Sequence, residues 1–224
     1  MITKETLSRY TVLFLMLIIV GIAIIVHIAV WSGQPRTAAD FGFSDEVSPH
    51  DADGDGVDDF ADMVAGARAY IATNPVYSGG YFAGGYPTDG TGVCTDVIWQ
   101  AFAAAGYTLK DMVDADIAAN RSAYFAEGQS SDPNINFRRV KPLAKFFERH
   151  ARSLPTTTTE PSDWMAGDIV VYEKHIAICS DKRNAMGLPY IIHHGSLEDG
   201  AVEVDRLTAA KIVGHYRFYG SDAT

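Results

Sequence analysis

The pattern of apolar and polar positions divides the chain into three stretches. From Val12 to Trp31 no residue is charged. At about 1.5 Å per residue, a helix over this stretch would span about 30 Å, the thickness of a bilayer's hydrocarbon core. The middle of the chain has helical spacing. Between Cys94 and Ala105, the apolar positions Val97, Ile98, Ala101, Phe102 and Ala105 form an i, i+1, i+4, i+5, i+8 stripe, and Gly106 is a natural stop. Further helices are expected at about Asp59–Thr73, Leu109–Ala119 and Val140–Ala151. After "LPTTTTEPSD", a surface connection, the period changes. The runs "DIVVY", "HIAICS", "YIIHH", "AVEVDRL" and "IVGHYRFY" are short, β-rich and separated by turn residues. Helices first and an antiparallel sheet second make an α+β layout.

The apolar N-terminal stretch admits three readings. A cleaved signal peptide has a shorter apolar region and a small-x-small exit, whereas "AVWSGQ" places Trp31 there. A buried core helix would carry polar punctuation. The reading adopted is an uncleaved membrane anchor over 11–31. Lys4 and Arg9 precede it and Arg36 follows, so the positive-inside rule puts residues 1–10 in the cytoplasm and the rest outside. Residues 32–50 are aperiodic and rich in Pro, Gly, Ser and acidic residues, which reads as a tether. A loop over 51–62 and a domain over 63–224 complete the organisation.

Composition narrows the partners. The net charge is −10, from 18 basic and 28 acidic residues. Nothing in such a balance would neutralise phosphates, so nucleic acid is not an expected partner. Two cysteines make no disulfide framework. Oligomeric state leaves no mark in the sequence. The acid is concentrated in "DADGDGVDDFAD", which places oxygens at positions 1, 3, 5, 7, 9 and 12 of a calcium loop, with glycine at 6. The ligands would be Asp51, Asp53, Asp55, the Val57 carbonyl, Asp59 and Asp62, with Gly56 at the turn. Ca2+ is therefore the one cofactor expected, in a structural role. The alternative is a solvated acidic turn capping the next helix.

Cys94 opens a helix after a glycine-rich run. A thiol is a poor nucleophile until it loses its proton. A helix N-terminus favours the thiolate, and its free N–H groups can hold an oxyanion. A neighbouring imidazole would complete the pair. The plain alternative is a buried cysteine acting as a small hydrophobe. His175 stands at the mouth of an apolar strand, on the face opposite Ile176 and Ile178. His193 and His194 end the next strand and point to opposite faces, so only one of them can share a face with His175. Cys179 lies four residues beyond His175, roughly 13 Å at ~3.3 Å per residue, and reads as a buried core thiol.

Seven short motifs occur in order: "GGYP", "GVCTDV", "NINFRRV", "GDIV", "HIAI", "IIHH" and "GHYR". From about Asp51 to Tyr216 the chain resembles the bacterial domain-of-unknown-function family 1287. The run from Tyr81 through "GGYPTDGTGVC" to Cys94 is similar to the signature of NlpC-type peptidoglycan peptidases of the papain-like superfamily. The resemblance implies a papain-like fold, with the nucleophile helix packed on an antiparallel sheet. It implies an extracytoplasmic cysteine peptidase or amidase that cuts peptides of peptidoglycan through a thioester. Cys94 would be the nucleophile, His175 the base and His193 the residue orienting it. The Cys94 N–H, aided by the Tyr81 hydroxyl, would hold the oxyanion. His194 is the rival third residue; Tyr77 and Tyr86 could also supply the hydroxyl. Asp96, Asp168 and His215 read as structural. Arg138 and Arg139 could each bind an acidic substrate group or form a salt bridge. An acyltransferase or deamidase on another substrate would use the same residues. The other alternative is an inactive, calcium-braced binding module of the cell envelope.

Overall fold

The structure is a computed structural model that describes residues 15–23, 35–196 and 199–220. The expected anchor lies largely outside these. Residues 15–23 within it are helical, and among the described residues no helix is long and apolar enough to cross a membrane. The chain divides into two units, Met1–Pro35 and Arg36–Thr224.

The second unit is α+β. Its helices are α1 (Asp59–Ala72), α2 (Cys94–Ala104), α3 (Leu109–Ala119), α4 (Arg121–Tyr124) and α5 (Val140–His150). A parallel pair, β1 (Val76–Tyr77) and β2 (Thr91–Gly92), brackets the Gly/Tyr loop. The main sheet contains β3 (Arg152–Ser153), β4 (Ile169–Tyr172), β5 (Ile176–Arg183), β6 (Pro189–His194), β7 (Ala201–Val204) and β8 (Ile212–Arg217). Its order is β3-β8-β4-β5-β6-β7, antiparallel throughout.

Strand alternation divides the core. Ile176 and Ile178 of β5, with Ile192 of β6, face the helices and pack with Val97, Ile98, Phe102 and Phe147. Ala177 and Cys179, with Ile191, face the other way, toward Trp164, Tyr172 and Leu207. The period of two thus fills two clusters from one strand pair.

The stretch expected as a tether is largely docked. Arg36 bridges to Arg183, and residues 38–41 form a 3-10 turn with Ala38 buried. Arg183, 1% exposed, stacks over Phe43 and reaches Asp45 at 2.7 Å. Arg217 bonds Glu46 at 2.6 Å. Composition suggested a linker because these contacts join residues more than a hundred positions apart. Arg217 also meets Asp168, which accepts from His215 Nε2 at 2.8 Å, and His215 stacks on Trp164 at 3.7 Å. Asp168 and His215 are structural, tying β4 to β8.

Candidate active site

The local fold of the Cys94 region follows from its glycines. Gly84 and Gly85 both have positive φ, +86° and +92°, which L side chains rarely adopt. A Cβ on Gly85 would also lie 2.6 Å from Phe137 Cε1. The loop then enters β2 and delivers Cys94 to the first helical position of α2. Asp96 secures that end. It accepts from the Val93 N–H at 2.7 Å, Trp99 Nε1 at 2.7 Å, and Arg138 Nε and Nη2 at 2.8 and 2.9 Å. Arg138 is thus a buried ion-pair partner and not a free substrate contact. Arg139 is exposed.

Cys94 is 5% exposed and belongs to the helix-side core. Burial pushes its thiol up to about 11, against the N–H groups of Ile176 and Thr95, which favour the thiolate. Ile176 is the first residue of β5, directly after His175. His175 Nε2 lies 3.0 Å from His193 Nδ1, with the rings at 89°. Burial, and then the His193 charge, push His175 down to about 4; burial also lowers His193. Both histidines line a cavity of about 230 Å³ with Tyr172, Ile191, Asp199 and Arg206.

The structure brings His175 and His193 together on the Tyr172 and Ile191 side of the sheet, and sets Cys94 on the helix side, with its sulfur at the N–H of the residue following His175. Among the described residues there is no hydrogen bond between Cys94 and His175. His194 lies on the helix side, where Tyr70 Oη meets its Nδ1 at 2.9 Å and Tyr77 packs edge-on at 5.2 Å. Burial lowers His194 as well.

Tyr81 does not take the place expected of it. It is 61% exposed, and its hydroxyl accepts from Asn134 Nδ2 at 2.8 Å. Tyr70 and Tyr77 are the tyrosines whose hydroxyls feel Cys94; burial raises both first, followed by the Asp96 charge and, less, Cys94 for Tyr70, and by Cys94 for Tyr77. Tyr86 packs against Trp99 and Phe137. Sequence reasoning missed Tyr70, which stands on a helix face with no local motif and meets His194 across 124 positions. Cys179 is free and fully buried, as a core thiol.

The acidic loop folds back on its own first carboxylates. Asp51 accepts from the N–H groups of Gly54, Asp55 and Gly56, and Asp55 from that of Val57. Carboxylate oxygens of Asp51, Asp53 and Asp55 lie within 4.8 Å of one another. Asp62 has one buried oxygen without a partner. Burial and then the charges of Asp55, Asp53, Asp51 and Asp58 raise it to about 6. These residues fit a divalent cation, which would relieve that repulsion. Asp59 departs from the expected ligand set. It is buried, accepting from the Ala52 N–H at 2.9 Å and Tyr107 Oη at 2.6 Å.

An α+β domain that sets a cysteine at a helix start against a strand led by histidine is the class these features define. The chain belongs to the family "Domain of unknown function (DUF1287)", whose model matches residues 64–218. It is 35% identical over 165 residues to "Uncharacterized protein YijF" of Escherichia coli (strain K12), covering 69% of this chain and 79% of that protein. No solved structure matches it.

Proposed function

We propose that this protein is a membrane-anchored, extracytoplasmic cysteine hydrolase of the papain-like, NlpC type, cutting an amide bond in the peptides of peptidoglycan. The observation that carries the reading is the junction of α2 and β5. The Cys94 sulfur faces the N–H of Ile176, and the preceding residue, His175, is hydrogen-bonded through Nε2 to His193. Since His175 and His193 lie on the Tyr172 side of the sheet and Cys94 on the helix side, the reading has the His175 ring, at the start of its strand, turn toward the sulfur and offer Nδ1. For Nδ1 to accept a proton, Nε2 carries hydrogen and donates it to His193 Nδ1.

In the reaction, His175 takes the thiol proton and sulfur attacks the amide carbon. The Cys94 N–H at the helix end holds the oxyanion. The carbon–nitrogen bond breaks, the amine leaves with the proton from His175, and water then releases the acid from the thioester. At rest both partners are neutral, because burial opposes each charged form. Thiolate and imidazolium form as a pair, once the His175 ring has turned to the sulfur. The acidic loop holds Ca2+ through Asp51, Asp53, Asp55, Val57 and Asp62. It braces residues 36–50 against α1, where Asp58 caps the helix and accepts from the Ser48 N–H.

A second reading, an inactive calcium-braced binding module, is favoured by the missing Cys94–His175 hydrogen bond and the raised thiol. The deciding experiment incubates the full-length chain, in detergent, with purified cell-wall material and follows fragments by mass spectrometry. New fragments that vanish with Cys94→Ala and His175→Ala support the hydrolase. Loss with His194→Ala but not His175→Ala would move the base to His194. No fragments, together with iodoacetamide alkylation no faster than free cysteine at neutral pH, would leave the binding module.

A further inference from the structure

A second cavity, of about 670 Å³, is lined in part by Lys174, the residue before His175. Its walls carry Arg139 and Lys141, at the start of α5, and Lys174, in the turn joining β4 to β5. Among the described residues none of these three cations has an ion-pair partner, in a chain with ten more acidic than basic residues. Tyr124 and Phe125 supply an aromatic wall, and Glu173 stands on the rim.

The charge placement runs against local stability. The N-terminal end of a helix carries partial positive charge and favours acidic side chains. Here the first turn holds no acid, while Arg139 occupies the N-cap and Lys141 follows. Cations gathered where the dipole repels them, without carboxylate partners, mark a surface built for something other than folding.

The position of the cavity ties it to the thiol. Arg138, next to Arg139, accepts through its carbonyl from Thr95 Oγ1 at 3.0 Å, and Thr95 follows Cys94. Lys174 precedes His175. One wall is thus a residue away from the base, and another is joined to the helix turn that presents the sulfur.

We infer that this cavity is an anion-binding subsite that holds the carboxylates of an acidic peptide beside Cys94. The inference rests on the hydrolase reading for its placement. Arg139 offers a planar fork suited to a carboxylate, and Lys141 and Lys174 offer point charges. Glu173 disfavours a compact dianion such as phosphate while leaving singly charged groups spread along a chain. Tyr124 and Phe125 cover the apolar part of such a peptide.

The test uses the full-length Cys94→Ala chain in detergent, so that binding is read apart from turnover. The probe is a fluorescein-labelled hexapeptide of alternating alanine and glutamate, followed by anisotropy, against its glutamine analogue. The acidic peptide is expected to bind about tenfold tighter than the analogue, with salt erasing the difference. Adding Arg139→Gln, Lys141→Gln and Lys174→Gln is expected to remove that preference while the thermal transition is kept; Lys174→Gln alone removes part of it. Equal binding of the two peptides, no binding of either, or an unchanged preference in the triple variant would overturn the inference. Tighter binding of inorganic phosphate than of the peptide would overturn the carboxylate assignment. Charge-dependent binding in a protein that hydrolyses nothing would support the subsite and remove the hydrolase.

Discussion

Replacing Asp96 by asparagine tests how the helix that begins at Cys94 is held. The Asp96 carboxylate accepts four hydrogen bonds, two from Arg138 and one each from Val93 and Trp99, with side-chain exposures of 4% for Arg138 and 1% for Asp96. Asn removes the charge and turns an NH2 toward a donor. Removing one partner of a buried pair costs about 3–5 kcal/mol, because the other charge is left in a low-dielectric site. Arg138 keeps its bond to the Gly80 carbonyl at 3.0 Å and its place over Phe82, which points to the lower end, about 3 kcal/mol. For a domain of this size that is a fall in Tm of about 10 °C. Urea unfolding followed by tryptophan fluorescence measures it. Asp96 also raises the Cys94 thiol, so the variant that is less stable is expected to have the more acidic thiol, read from the pH dependence of alkylation. Arg138→Met is expected to cost less than Asp96→Asn, and the double variant less than the sum. A loss below about 1 kcal/mol, or a thiol that becomes less acidic, would refute the account.

Three further outcomes follow from the same geometry. His175 is held neutral, with its folded value near 4 against 6.5, so its contribution is present above pH 6.5 and is lost as pH falls toward 4. That contribution is at most about 3 kcal/mol, and His175→Asn should flatten this part of the acid-unfolding curve; an unchanged curve counts against a buried imidazole. Asp62 has the opposite sign: raised from 3.8 to about 6, it favours the calcium-free fold below pH 4 and loses that contribution as pH rises through 6. Calcium should therefore raise Tm more at pH 7 than at pH 5, and a Tm insensitive to calcium and chelator at pH 7 would remove the ion. A Cβ on Gly92 would lie 2.1 Å from Tyr70 Oη, so Gly92→Ala should cost about 1–3 kcal/mol, less in a Tyr70→Phe background; strict additivity would show that the hydroxyl is not what the methyl meets.

Much of the fold was legible because its signals are local. The stripe from Val97 to Ala105 ends at Gly106, and α2 ends at Ala104. Leu109–Ala119 is helical over the expected span, and each expected β-rich run contains a strand. The strands β1, β2 and β3 were not legible, since two residues carry no period. At the site, alternation on β6 required His193 and His194 to part, and they do, one to His175 and one to Tyr70. The resemblance implies a place for Tyr81 beside Cys94, yet its hydroxyl goes to Asn134. Loop direction depends on positive φ at Gly84 and Gly85 and on packing against Phe137, not on a count of residues.

What the sequence determined by itself is whatever a short window of chain can settle: helix stops, strand alternation, the oxygen spacing of the acidic loop, and a cysteine at a helix start. Partners far along the chain were decided only by the tertiary structure. Arg138 went to Asp96 while its neighbour Arg139 was left facing a cavity; Asp59 went to Tyr107, away from the ligand role its spacing suggests; residues 36–50 lay down on Arg183 and Arg217. The physical reason is common to all three. A backbone period is fixed by sterics between near neighbours, whereas a buried charge takes whichever complementary group the packed core brings within hydrogen-bond reach.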